Sequence, residues 1–316
     1  MDQEEAQRQL DGRDIQMIVQ IPESFSQQVQ TSGEKASLIY TINESNAASI
    51  KSIMQTVATT ITEMVNQNIS TQGTQAVLEQ LQMPSAQATG TAQSLVGKVE
   101  SEMIYTHPVN GMNNQMVPLM LVLASFVGSM IMGQNLHQST LLLAGTLSKW
   151  NSFRARLVIN FISAPLISFI GSVMVLVLGG QMEHGFLALW MFQMLLILAF
   201  MFFSQMFINV LGMSGMIINI VMMSLQLVTS GAMVPRLMLN TFYKWLGEFL
   251  PATYGVQGIM ALQFGGPGIG SSVWGLIIIT VICLLVSLLT VALKKEKVAM
   301  VIHQEGNIPV SVASQR

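Results

Sequence analysis

Five stretches of this chain are long enough to cross a bilayer yet contain no Asp, Glu, Lys or Arg: approximately residues 116–133, 157–178, 186–208, 213–234 and 273–293. A helix of about 20 apolar residues spans the ~30 Å of hydrocarbon in a typical membrane. Five uncharged runs of that length are hard to hide in a water-soluble core. Composition agrees: 51% of the residues are hydrophobic and 9% are charged, against a charged share of ~25% in ordinary soluble domains. The expected fold is a polytopic α-helical membrane protein with five transmembrane helices. The single cysteine, Cys283, lies in the last run and supports neither an intrachain disulfide framework nor a cysteine-rich metal site.

Charge divides the chain. Residues 1–133 carry 12 acidic and 5 basic side chains, whereas residues 134–316 carry 4 and 9. No Lys/Arg cluster is dense enough to displace phosphate counterions, so nucleic acid is not an expected partner. Basic residues are retained on the cytoplasmic side of membranes. Lys294, Lys295 and Lys297 follow the last run and Lys149, Arg154 and Arg156 lie between the first two, while residues 179–185 have no basic side chain. Arg236 and Lys244 fall on the other side and are outnumbered. The expected topology puts residues 1–115 outside the cell and the carboxyl terminus inside, with a cytoplasmic tail from about residue 294. Residues 1–115 are preceded by no export signal in this sequence, so a sixth span upstream is expected. A polar region that stays in the cytoplasm is the alternative.

Within residues 1–115, the strings 14–22 (DIQMIVQIP) and 36–42 (ASLIYTI) have strand character, and 23–34 is polar and turn-rich. Ile50, Ile53, Met54, Val57, Ala58, Ile61, Met64 and Val65 form a helical stripe of about four turns. That stripe packs on the small sheet or pairs with another subunit or a ligand. A short helix over 75–82 and a strand over 99–106 complete a small α+β extracytoplasmic domain, followed by a permease-like domain over 116–316.

Catalysis needs a nucleophile with a base, paired carboxylates or clustered metal ligands. His107, His137, His184 and His303 are scattered, and the string 90–98 (GTAQSLVGK) has six residues between its glycines where a phosphate-binding Walker loop has four. The chain is therefore expected to be no enzyme, to hold no cofactor or metal, and to use ATP only through a partner. Polarity inside the apolar runs is confined to uncharged groups: Asn160, Gln193, Gln205, Asn209, Asn219 and Gln226 are its amides. Such amides bond neighbouring helices or line a substrate path. Ion-coupled transport is disfavoured, because no carboxylate, histidine or lysine sits at membrane depth to bind a driving ion.

Two connections carry structure. Residues 134–156, which include LLLAGTLSKW, alternate apolar and polar and predict a helix lying on the inner surface, anchored by Trp150 and able to take force from a cytoplasmic partner. Residues 235–272 combine an amphipathic stretch (237–249), a break at Pro251, an apolar stretch (254–264) and then Gly265, Gly266 and Pro267. This predicts partial re-entry at the outer leaflet, with Glu248 near the turn.

With DGRDIQMIVQIPESFS in the polar region, HPVNGMNNQMVPLMLVLASFVGSMIMG entering the first run and LPATYGVQGIMALQFGG before the last, the chain resembles the type 2 ABC exporter permeases over nearly its whole length. Within them it is most similar to the YhgE/Pip, or phage infection protein, branch. The resemblance implies a six-span half-transporter in the bacterial cell membrane, surrounded by lipid, that pairs with itself or a related permease. It also implies a cytoplasmic ATP-binding subunit and an amphipathic or envelope-related substrate. By the same resemblance, residues 141–150, with Leu141, Leu142, Leu143, Lys149 and Trp150, couple to that subunit; Arg154 and Arg156 extend the basic end of the connection. Residues 247–266, with Glu248, Pro251, Tyr254 and Gln257, become an outer re-entrant hairpin. Because this branch is associated with phage entry and its relatives with secretion, the alternative is a non-transporting surface receptor or secretion scaffold that holds a phage or a secreted protein.

Overall fold

Alternation along residues 36–43 is realised as a strand, β2 (Ala36–Asn43), which buries Ala36, Leu38, Tyr40 and Ile42 in the computed structural model. The structure describes residues 2–31, 34–47, 49–79, 97–143 and 148–294. Strand β1 (Met17–Gln20) pairs antiparallel with β2, and β3 (Val99–Thr106) pairs parallel with its other edge, giving the order β1-β2-β3. The parallel pair needs a crossover, supplied in part by a long helix, α3 (Ile50–Glu79). Ala58 of α3 is buried with the sheet's inner face, and Thr62 meets the Tyr40 hydroxyl at 2.9 Å. Asn66 holds both backbone groups of Val99 (2.8 and 2.9 Å), which fixes where β3 begins.

Helix periodicity is hidden where the sequence is polar. Residues 3–11 form α1 (Gln3–Asp11), which buries only Ala6 and Leu10, one turn apart. The stretch expected to be irregular, 23–34, contains α2 (Phe25–Gln30). The four-turn stripe continues to Glu79 as one helix of 30 residues, about 45 Å long. Residues 75–79 thus extend α3 and form no separate short helix, and residues 80–82 lie outside the described residues.

Four helical runs are long and apolar enough to cross a membrane: Gly111–Leu142, Lys149–Val177, Gly185–Thr229 and Gly270–Leu293. The first, second and fourth are α4 (Gly111–Leu142), α5 (Lys149–Val177) and α10 (Gly270–Leu293). The third combines α6 (Gly185–Leu211), a 3-10 turn (Gly212–Ser214) and α7 (Gly215–Thr229). The expected span 213–234 holds α7, whose 15 residues rise about 22 Å, and residues 230–234 carry the chain on to the α+β domain, where Ser49 Oγ donates to the Met233 carbonyl at 2.9 Å. Chain direction reverses at Gly212, whose φ of 67° favours glycine. Asn219 Nδ2 reaches Ser204 Oγ at 3.0 Å and its carbonyl at 3.2 Å, whereas 15 residues of straight helix would separate them by about 22 Å.

The connection 134–156 forms no separate surface helix in the described residues. Helix α4 runs unbroken to Leu142, since residues 134–142 contain neither Gly nor Pro to end it. Helix α5 begins at Lys149, where the Ser148 hydroxyl accepts the Trp150 N–H (3.3 Å). Residues 144–147 lie outside the described residues. At the other end of the bundle, α8 (Thr241–Glu248) and α9 (Pro251–Phe264) occupy the stretch expected to re-enter the outer leaflet. Pro251 opens α9, where a missing N–H costs nothing. Nearly all of α9 is buried, packed by α4, α6, α7 and α10.

Polarity in the bundle is inverted relative to a soluble helix. Helix α5 buries Arg156, Asn160, Ala164, Ser168 and Ser172 along one stripe, while Phe161, Ile162, Leu166 and Ile170 on its other face are more than half exposed. Lipid is the solvent that suits such a face.

Close packing of α9 on α6 depends on Gly258, because a Cβ there would lie 2.0 Å from Phe192 Cζ. Gly258→Leu should therefore destabilise the bundle by about 1–3 kcal/mol, and Phe192→Ala in the same chain should recover part of the loss. Thermal unfolding in detergent measures both; a Gly258→Leu protein as stable as the native one would contradict this packing.

Candidate functional site

The amides singled out in the apolar runs are all buried, and each meets another helix. Asn160 of α5 and Gln205 of α6 donate to one another at 3.1 and 2.9 Å. Gln193 Oε1 accepts the Ser172 hydroxyl at 2.9 Å, again joining α6 to α5. Asn219 ties α7 to Ser204 of α6. Gln226 Oε1 accepts the Ala252 N–H at 3.2 Å, capping the first turn of α9. Asn209 Oδ1 accepts Arg156 Nη1 at 2.7 Å. The contacts are pairwise and follow helix boundaries, as expected where no water competes for the groups.

At the bundle end away from the α+β domain, the carboxyl ends of α4, α6 and α10 come together. Each presents unpaired carbonyls and the negative end of its dipole. Three cations answer them. Arg156, 8% exposed, donates Nε and Nη2 to Thr140 Oγ1 (3.1 and 2.7 Å) as well as Nη1 to Asn209. Lys294 Nζ donates to the Asn209 carbonyl at 2.6 Å, and Lys149 Nζ to the carbonyls of Lys294 (2.7 Å) and Ala292 (3.3 Å). Among the described residues no carboxylate forms an ion pair with any of the three.

This arrangement splits the set expected to couple to a partner. Arg156 is an internal brace of α4, α5 and α6. Leu141, Leu142 and Leu143 are exposed at the end of α4, Arg154 is exposed on α5, and Trp150 is half-buried edge-on to Phe153 (ring centroids 6.5 Å apart). Lys295, Lys297 and the rest of the tail lie outside the described residues.

At the opposite end the α+β domain grips the α8–α9 pair. Arg13 Nη2 donates to the Gly265 carbonyl at 2.9 Å and Nε to Ser45 Oγ at 3.3 Å. Burial lowers the Arg13 pKa from its ordinary value to about 10. His107 Nε2 lies 3.2 Å from Asp11 Oδ1, and Ser49 Oγ donates to the Met233 carbonyl at 2.9 Å. Glu44, 5% exposed, pairs with Lys51 (2.6 Å) and accepts the Val109 N–H (3.0 Å) just before α4. Glu248 is exposed at the end of α8, 3.9 Å from Arg236 Nη2, and its carbonyl accepts the Tyr254 hydroxyl at 2.9 Å. Pro251 is buried beneath this turn, and Gln257 lines a cavity of about 120 Å3 with Arg13 and Arg236. Phe242, Tyr243, Trp245 and Phe249 are exposed around α8, as aromatic residues at a membrane–water boundary are. Sequence reasoning missed Arg13: a lone arginine in a polar stretch gives no sign of a partner 252 residues away.

A family model described as ABC-2 family transporter protein matches residues 1–292. No curated protein and no solved structure matches the chain.

The reciprocal Asn160–Gln205 pair should be visible thermodynamically. Asn160→Leu or Gln205→Leu alone leaves the other amide unpaired, so the two changes together should be less damaging than their sum, with a coupling of about 0.6–1.7 kcal/mol in a double-mutant cycle. Zero coupling would contradict the pairing. Arg156→Met should cost about 2 kcal/mol by removing the charged hydrogen bonds to Thr140 and Asn209, read from unfolding in the same detergent; an unchanged transition would remove the brace.

Proposed function

This chain belongs to the ABC-2 family of transporter proteins, and on that premise we propose that it is the permease subunit of an ABC-type exporter driven by a separate cytoplasmic ATP-binding subunit. Its place in the family is the YhgE/Pip branch, and its cargo is an amphipathic or envelope-related molecule. It sits in a bacterial cell membrane, paired with a second copy or a related permease, with the α+β domain outside and the Lys294 end inside. Proteins of this family are membrane components of transporters, and the chemical step belongs to the partner.

The observation that carries this reading is the exposure of Leu141, Leu142 and Leu143 beside Arg154 at the end away from the domain. A partner subunit with an apolar pocket and an acidic rim is suited to that end, since bare apolar patches in water mark interaction sites and charge complementarity sets register. Just behind it, Arg156 and Lys294 bind α4, α5, α6 and α10 to one another. Displacement of this end by the partner is felt by four helices at once. Two arrangements of the bundle, biased by nucleotide state in the partner, then suffice for export.

Co-expression with the cognate ATP-binding subunit tests the reading. The tagged chain should retain that subunit and its ATPase activity through purification. Replacing Leu141, Leu142 and Leu143 together by serine should weaken retention by about tenfold or more, the effect of losing ~1.4 kcal/mol, while leaving the unfolding temperature of the chain unchanged. A folded chain that retains no ATP-binding subunit, or a triple variant that retains it fully, would contradict the proposal.

A further inference from the structure

A cavity of about 650 Å3 opens between α4 and α5 in the half of the bundle nearer the α+β domain, with α6 at its back. Met120, Leu121, Ile167, Ile170 and Met174 supply apolar walls, while Asn113 and Asn114 stand at one end. Asn114 is occupied, accepting the Gln181 N–H at 2.9 Å and donating to the Asn110 carbonyl at 2.8 Å.

The cavity can be placed in depth. Thr140, Arg156 and Asn209 are bonded together, so they mark a common level on α4, α5 and α6. Counting from it at 1.5 Å per residue, Ser125, Gly171 and Gln193 all lie about 22–24 Å towards the domain. With the Arg156 level at one edge of a hydrocarbon layer ~30 Å thick, these three stand ~6–8 Å inside the other edge. Asn113 and Asn114 rise beyond that edge to headgroup level, and Ile167 and Ile197 lie below, so the cavity runs from headgroups through most of one leaflet.

At the depth of Ser125, Gly171 and Gln193 the wall is polar and unfinished. Gln193 is 2% exposed, and its Oε1 is taken by Ser172. Its Nε2 has no acceptor among the described residues and lies where a Cβ on Gly171 would be, 2.5 Å away, so glycine alone lets the amide reach the cavity. Ser125 Oγ, also in the wall, has no partner among the described residues either. A donor left unpaired in hydrocarbon is costly. An acceptor a few ångströms below the headgroups, on a molecule that is otherwise aliphatic, would satisfy it. A second transmembrane helix laid in the cavity could satisfy Gln193 only with a polar side chain placed at that depth, because its backbone carbonyls are bonded within the helix.

We propose that this cavity binds one ester-linked aliphatic chain of an amphiphile in the domain-side leaflet, with the ester carbonyl accepting from Gln193 Nε2 and the chain lying between α4 and α5. The site rests on the bundle being membrane-embedded and is independent of whether the chain exports anything. A phospholipid of the surrounding bilayer and an exported lipid of the same linkage share this chemistry.

Native mass spectrometry of the delipidated full chain in detergent tests the proposal without any ATP-binding subunit. The probes are phosphatidylglycerol, its dialkyl ether analogue and a diacylglycerol glycolipid. Phosphatidylglycerol should bind at one per chain. Ala124→Phe, which fills the cavity from an exposed wall position, should weaken binding about tenfold, while Ile162→Phe on the outward face of α5 should not, a tenfold change being ~1.4 kcal/mol. The ether analogue, lacking the carbonyl, should bind the native chain several-fold more weakly than the ester, and this difference should vanish in a Gln193→Leu, Ser172→Ala chain. Preference for phosphatidylglycerol identifies the bilayer lipid as occupant, and preference for the glycolipid an exported one; both support the site. Equal binding by Ala124→Phe and native chains, or no ester–ether difference in the native chain, overturns it.

Discussion

In hydrocarbon a polar group has no water to fall back on, and the architecture of this bundle follows from that constraint. Each amide carried into the apolar runs bonds a neighbouring helix through at least one of its atoms: Asn160 with Gln205, Gln193 with Ser172, Asn209 with Arg156, Asn219 with Ser204 and Gln226 with the first turn of α9. Asn219 Oδ1 and Gln226 Nε2 have no partner among the described residues. Packing and these bonds act together, since the apolar effect that drives soluble helices together is absent between lipid-facing surfaces. The stripe Arg156, Asn160, Ser168 and Ser172 shows the result along one helix, polar inward and apolar outward.

Formal charge obeys a related rule. Lys294 and Lys149 meet carbonyls at helix carboxyl ends, Arg156 beside them is held by Asn209 Oδ1 and Thr140 Oγ1, and at the other end charge is paired around Arg13, Asp11 and Glu44. Among the described residues, the layer between these two levels holds amides and hydroxyls but no charge. Such a layer can hold a conformation and shape a path. The two ends of the bundle are built differently: one is a grip between a folded domain and α9, the other an exposed leucine triplet with a braced floor.

Legibility in the sequence tracked the physical signal. Strand β2 was visible because one face is buried and alternation is therefore enforced, and the positions of α4, α5, α6 and α10 because lipid demands long uncharged runs. The run 213–234 stands apart from 186–208 in the sequence, and the chain does turn between them at Gly212; what composition did not mark is that the helix ends at Thr229, five residues before the apolar run does. Helices α1 and α2 bury too few residues to imprint a period. The inner connection alternated in composition yet continued α4, because nothing in residues 134–142 breaks a helix. Among the candidate residues, the amides could be named from sequence and their partners could not. Arg156 was grouped with surface cations, since only the fold reveals that Thr140 and Asn209 enclose it.

The proposed function, with an ATP-binding partner at one end and a folded domain at the other, requires that the two ends face different compartments. In a chain whose Cys283 is replaced by serine, single cysteines introduced by Thr59→Cys on α3 and Arg154→Cys on α5 can be probed with a membrane-impermeant maleimide on intact cells. The account predicts that Thr59→Cys reacts at once and Arg154→Cys only after the membrane is permeabilised. Reaction of both on intact cells, or the reverse order, would contradict it.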